Sequence, residues 1–79
     1  MNLYLISQTQ NNGYDTYDSA VVAAPSEEEA QHINPDGSDR WNERWSAWCK
    51  TPSDVKVELL GTATEGTQAG IILASFHAG

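Results

Sequence analysis

The sequence predicts an α+β fold, a small antiparallel sheet of about four strands in ββα(α)ββ order, covered on one face by one or two short helices. Three observations carry this. Two β-forming runs near the start are split by Asn11-Asn12-Gly13, a turn signal whose residues tolerate positive φ. Two more close the chain, the alternating Val55-Lys56-Val57-Glu58-Leu59 and the apolar run over 71–76. Between the pairs lie a helix-capping pattern and a segment with three tryptophans at helical spacing.

The elements follow in order. Residues 2–9 form a first strand built on Leu3, Tyr4, Leu5 and Ile6. A polar segment, 14–19, leads into the short buried strand Ala20-Val21-Val22-Ala23-Ala24, so residues 2–24 make a hairpin with an elaborate loop. Pro25-Ser26-Glu27-Glu28-Glu29 begins a helix, with Ser26 and Glu29 in capping-box positions and three glutamates at the positive end of the dipole. Asn34-Pro35 stops it and Asp36-Gly37-Ser38 turns the chain. In residues 39–50 the tryptophans at 41, 45 and 48 fall on one helical face and Thr51-Pro52 ends that element, an irregular loop being the alternative because the segment has few aliphatic residues. The glycine-containing stretch 62–70 reads as a hairpin loop before the last strand. Residues 1–79 constitute one domain, without repeat or linker.

A chain of 79 residues buries only roughly 60–65% of its unfolded surface, so its core needs support. Cys49 stands alone, which excludes an internal disulfide and fits a reducing compartment. Together with His32 and His77 it makes no zinc-ligand spacing, and nothing points to a cofactor. Idealised packing or self-association is left, and a homo-oligomer, most simply a homodimer, is expected. The N-terminus lacks a basic region and a long apolar run, so a cytoplasmic location is expected. Eleven acidic against four basic residues give a net charge of −7, which opposes nucleic-acid binding and suits solubility or a basic protein partner. No apolar stretch suggests membrane attachment.

Asn12 to Val22 with its GYDTYDS string, Val55-Lys56-Val57-Glu58 with Gly61-Thr62-Ala63, and the final Ala74-Ser75-Phe76-His77-Ala78-Gly79 resemble a family of small uncharacterised proteins of phages, prophages and diverse bacteria. The likeness runs essentially end to end, with Asn the commoner residue at the place of His77. It implies a phage or mobile-element accessory protein, of a kind that often counters host defence, and supplies no biochemical activity.

Three places are candidates for function. The loop of Tyr14, Asp15, Thr16, Tyr17, Asp18 and Ser19 offers aromatic faces and carboxylates, or else merely closes a turn. The tryptophan segment places Arg40, Arg44 and Lys50 beside Trp45 and Trp48, suited to a nucleotide or an acidic protein, or else fills the core. The C-terminal segment around Phe76 packs across the sheet, completes a neighbour's pocket, or frays. No nucleophile elbow or phosphate-binding glycine loop is present, so an enzyme is not expected. The sequence therefore favours a non-enzymatic protein that binds and inhibits a host protein. A small-molecule binder, such as a sponge for a nucleotide-type signal, and a structural phage protein are the alternatives.

Overall fold

A computed structural model of the chain describes residues 1–11, 13, 15–37, 41 and 47–77, apart from the side chain of His77. Four strands, β1 (Asn2–Ser7), β2 (Thr16–Ala24), β3 (Lys56–Thr62) and β4 (Gly70–His77), form one antiparallel sheet in the order β3-β1-β2-β4. A single α-helix, α1 (Glu27–Gln31), and a 3-10 turn at Pro52–Asp54 are the helical elements among the described residues. The α+β class and the four strands are as the sequence predicts.

The β1–β2 hairpin forms the centre of the sheet, paired from Asn2–Ala24 to Ser7–Ser19, and the apolar strand β4 lies at an edge. Strand β2 starts earlier than its apolar run implies. The polar residues Thr16 to Ser19 already belong to it, and an irregularity between Tyr17 and Ser19 leaves Asp18 without an opposite residue on β4.

The stretch 62–70 does not close a hairpin. β3 and β4 lie at opposite edges, so their connection crosses the end of the sheet where β1 begins and β2 finishes. It is pinned there by the Ala63 amide donating to the Met1 carbonyl (3.0 Å), and turns through Gly66 at φ 90°. Three inter-strand spacings amount to about 14 Å, well within the reach of seven extended residues. Both free edges of the central hairpin are thereby paired, which a local β3–β4 hairpin would not achieve.

Helix α1 starts at Ser26, whose hydroxyl accepts from the Glu29 amide at 3.2 Å, the bond expected of its cap. It is short because Asn34 begins a tight turn, its side-chain oxygen accepting from the Asp36 amide and its carbonyl from that of Gly37, which sits at φ 79°. The helix buries Ala30 against the sheet.

One face of the sheet carries the core. Tyr4 and Ile6 of β1 and Ala20, Val22 and Ala24 of β2 meet Ala30, Trp48, Cys49 and Val55. The other face is set out by the register in three rows. Lys56, Ser7, Ser19 and Ser75 form a polar row; Glu58, Leu5, Val21 and Leu73 an aliphatic row; Gly61, Leu3, Ala23 and Gly70 a small one. None of these twelve residues belongs to the core cluster, although Ala23 is fully buried.

Candidate functional site

The polar loop and the end of β4 come together at one end of the sheet, and a buried glutamine organises them. Gln8 is the next residue on the covered face after Tyr4 and Ile6, where another apolar side chain would be expected. Its side-chain amide donates to the carbonyls of Asn11 (2.6 Å) and Tyr17 (2.9 Å), and its oxygen accepts from the Asn11 amide at 2.8 Å. Its own backbone amide reaches the Asp18 carbonyl. Thr16, also buried, donates from its hydroxyl to the Gly13 carbonyl at 2.6 Å. The loop is therefore held from within, as a buried backbone requires. Asp15 adopts φ 61°, a conformation in which Asp is among the tolerated residues.

On that frame stand the exposed groups. The Tyr17 and Phe76 rings face each other across the β2–β4 pair, with centroids 4.8 Å apart and planes at 57°. Tyr17 leans on the core, while Phe76 remains 47% exposed. Asp15 and Asp18 are both exposed beside this pair in sequence. An aromatic edge next to carboxylates offers apolar area together with acceptors for cationic donors.

Trp48 is 1% exposed and lies in the core cluster, so at this position the tryptophan segment fills the interior. Half-buried Trp41 packs against the same cluster. The backbone around Trp48 supports the loop: the Asn11 side-chain amide donates to the Trp48 carbonyl (3.1 Å), and the Tyr17 amide to that of Ala47 (2.8 Å). No helix is assigned from Ala47 to Lys50. Tyr14, Arg40, Arg44 and Trp45 lie outside the described residues. The structure thus brings Tyr17 and Phe76 together, with Asp15, Thr16 and Asp18 next to Tyr17 in sequence, and packs Tyr17 against the cluster that holds Trp48. Gln8 was not among the sequence candidates; its one signal is a polar residue continuing an apolar alternation.

Cys49 is fully buried beside Trp48, its thiol 3.5 Å from the Thr51 carbonyl. Burial, with a smaller contribution from the Asp54 carboxylate, pushes its pKa up to about 11. A thiol so placed is protonated and inert at neutral pH. Among the described residues no cluster of His, Cys, Asp and Glu suits a metal ion, and no helix is long and apolar enough to cross a membrane.

A hollow of about 700 Å³ lies at the opposite end of the sheet, between α1 and the crossing segment. Glu28, Glu29 and His32 line it with Pro25 and Ala69, a wall whose carboxylates repel a phosphorylated ligand. The molecule is thus a small antiparallel-sheet domain whose loop-and-aromatic end is its most built surface feature. Comparison with known proteins finds no family model, characterised sequence or solved structure that matches the chain.

Proposed function

We propose that the protein is a non-enzymatic binding protein that acts stoichiometrically on a host protein, as an accessory factor of phage or prophage type. The observation that carries this reading is the half-exposed Phe76 ring seated on Tyr17, whose near sequence neighbours Asp15 and Asp18 are both exposed. Interface hot spots have this make-up, an aromatic anchor ringed by polar groups. The net charge of −7 directs it to a basic surface on the partner, with salt-dependent association. The resemblance to small phage proteins suggests the partner's setting, including the defence machinery of the host cell. A nucleotide sponge is less well supported, because Trp48 is buried and the hollow beside α1 is lined by glutamates.

Affinity capture from host lysate with the wild type and with Phe76→Ala and Asp18→Asn tests the reading. A specific protein retained by the wild type and lost with either variant is the expected result. Capture of nothing specific, together with a melting shift on adding nucleotides, overturns it in favour of the small-molecule alternative.

A further inference from the structure

The two central strands are apolar on both sides, yet among the described residues the core cluster packs on only one, and of the other face's central residues Ala23 alone is fully buried. Leu3, Tyr4, Leu5 and Ile6 are consecutive, as are the five residues Ala20 to Ala24. Runs of this kind belong to strands with both faces buried, whereas a sheet with one wet face alternates, as β3 does at Val55 to Leu59. Helix α1, Trp48 and Val55 pack on the Tyr4–Ile6 side. On the other side Leu3, Leu5 and Val21 are partly exposed, Leu73 is 69% exposed, and a shallow groove of about 320 Å³ runs past Leu5, Val21, Leu73 and Ser75.

We infer that this open face is covered by the same face of a second copy, giving a two-fold symmetric sandwich of two four-stranded sheets. Area is the first argument. One such face measures about 19 Å across four strands by about 23 Å along them, or about 440 Å². Two such faces, with their side-chain relief, reach the lower range of specific interfaces at about 1,000–1,200 Å².

Charge is the second argument. Copies of a chain at −7 associate only through a surface free of unbalanced acid, and the central strands of this face carry no charge. Its charged residues, Lys56 and Glu58, are of opposite sign and both stand on the edge strand β3. A surface with so little field does not select a basic partner; it suits its own kind.

Shape fixes the axis. A two-fold parallel to the strands, between β1 and β2, sets β1 over β2 of the second copy. Leu5 then meets Val21, while Leu3 lies over the row of Ala23, which is already fully buried within its own chain. The edge strand β3 falls over β4 of the second copy, so Glu58 lies near Leu73 and the two Glu58 carboxylates are kept apart. An axis across the strands would stack Glu58 on Glu58, which like-charge repulsion disfavours.

Sedimentation of the full chain over about 1–300 μM, a range that brackets a micromolar Kd, tests the inference. The expected result is a shift from 8.6 kDa to twice that mass. Leu73→Glu, at an exposed position where folding is not at stake, should weaken the dimer at least about tenfold, because it faces Glu58 of the second copy. Leu73→Lys should weaken it less, or strengthen it. Leu59→Glu, 62% exposed on β3 but paired with Tyr4 of the covered side, makes the same charge change and should leave the dimer intact. A monomer at every concentration overturns the inference, as does a dimer that Leu59→Glu dissociates and Leu73→Glu does not. The aromatic end proposed to bind a host protein is a separate surface, so capture can fail while the dimer stands, and the reverse.

Discussion

Leu5 and Ile6 are neighbours in one strand and differ by a single flip of the pleat, yet they live in different surroundings. Ile6 is fully buried under Trp48 and its cluster, while Leu5 is partly exposed in the aliphatic row of the open face. The covered face is assembled from pieces far apart in the chain: Ala30 from the helix, Trp48 and Cys49 from the segment before the 3-10 turn, and Val55 before β3. The open face holds strand residues alone. The difference teaches that hydrophobic pattern fixes which residues seek burial, while the supply of covering elements decides which face obtains it within one chain. Among the described residues, the elements outside the sheet that join the core cluster all pack on one side.

The sharpest way to break the comparison is to truncate both neighbours. Ile6→Ala should cost about 2–5 kcal/mol, since no solvent can refill a site walled by Trp48 and Val22, and in a chain this small that is enough to abolish cooperative melting near 37 °C. Leu5→Ala should cost no more than about 1 kcal/mol at concentrations where the protein is monomeric. The gap should narrow as concentration rises, because the dimer restores burial to Leu5. Denaturant melts at two protein concentrations read both effects, and equal costs at low concentration would show that the open face is already covered by the chain itself.

Gln8 comes next in size. Gln8→Leu keeps the volume and loses three side-chain bonds, leaving the Asn11 amide and the Asn11 and Tyr17 carbonyls to find new partners. A loss of about 2–3 kcal/mol is expected, with faster hydrogen exchange at Asn11, whereas an apolar replacement that left stability unchanged would show that water serves those groups as well.

The Cys49 thiol gives a pH-dependent reading of the same covered face. Its pKa is raised from 9.0 to about 11, so the folded state holds the proton more tightly than the unfolded chain. The contribution is fully present below pH 9 and is lost as pH rises towards 11, amounting to about 2–3 kcal/mol at most. Cys49→Ala should flatten this alkaline limb of the stability profile. In the wild type, a thiol reagent at pH 8 should label Cys49 only on the timescale of unfolding.

The fold class, the central hairpin and the helix start at Ser26 were legible because each rests on local chemistry: an apolar run, a turn of Asn and Gly, a hydroxyl three residues before an amide. The placement of β4 was not, since a loop of small residues reads alike whether it closes a hairpin or crosses a sheet end. What decided it was the pairing capacity of both edges of the β1–β2 hairpin, a property of the whole sheet. At the candidate site, Asp18 and Phe76 are exposed and Tyr17 is half-buried against the core, whereas Trp48 carried two readings until its burial separated them. Gln8 was passed over because a glutamine at a strand end looks like the start of a loop, and only the parity with Tyr4 and Ile6 marks it as inward.

The smallest expected effect concerns the loop that the covered face supports. Asp15 holds φ 61°, where a side chain costs more than glycine does, although Asp is among the residues that bear it best. If Asp15 is kept for binding and not for folding, Asp15→Gly should leave stability unchanged or raise it by about 0.5 kcal/mol, a melting shift of about 2–4 °C at most. The same variant should weaken capture of a host protein, because it removes one of the two exposed carboxylates near Tyr17 in sequence. A fall of several degrees instead would assign Asp15 to holding the loop, and would leave Asp18, unpaired across β4 at the irregularity, as the carboxylate that faces the partner. The two aspartates differ in backbone and not in charge, so comparing their glycine and asparagine variants separates what the turn requires from what the partner reads.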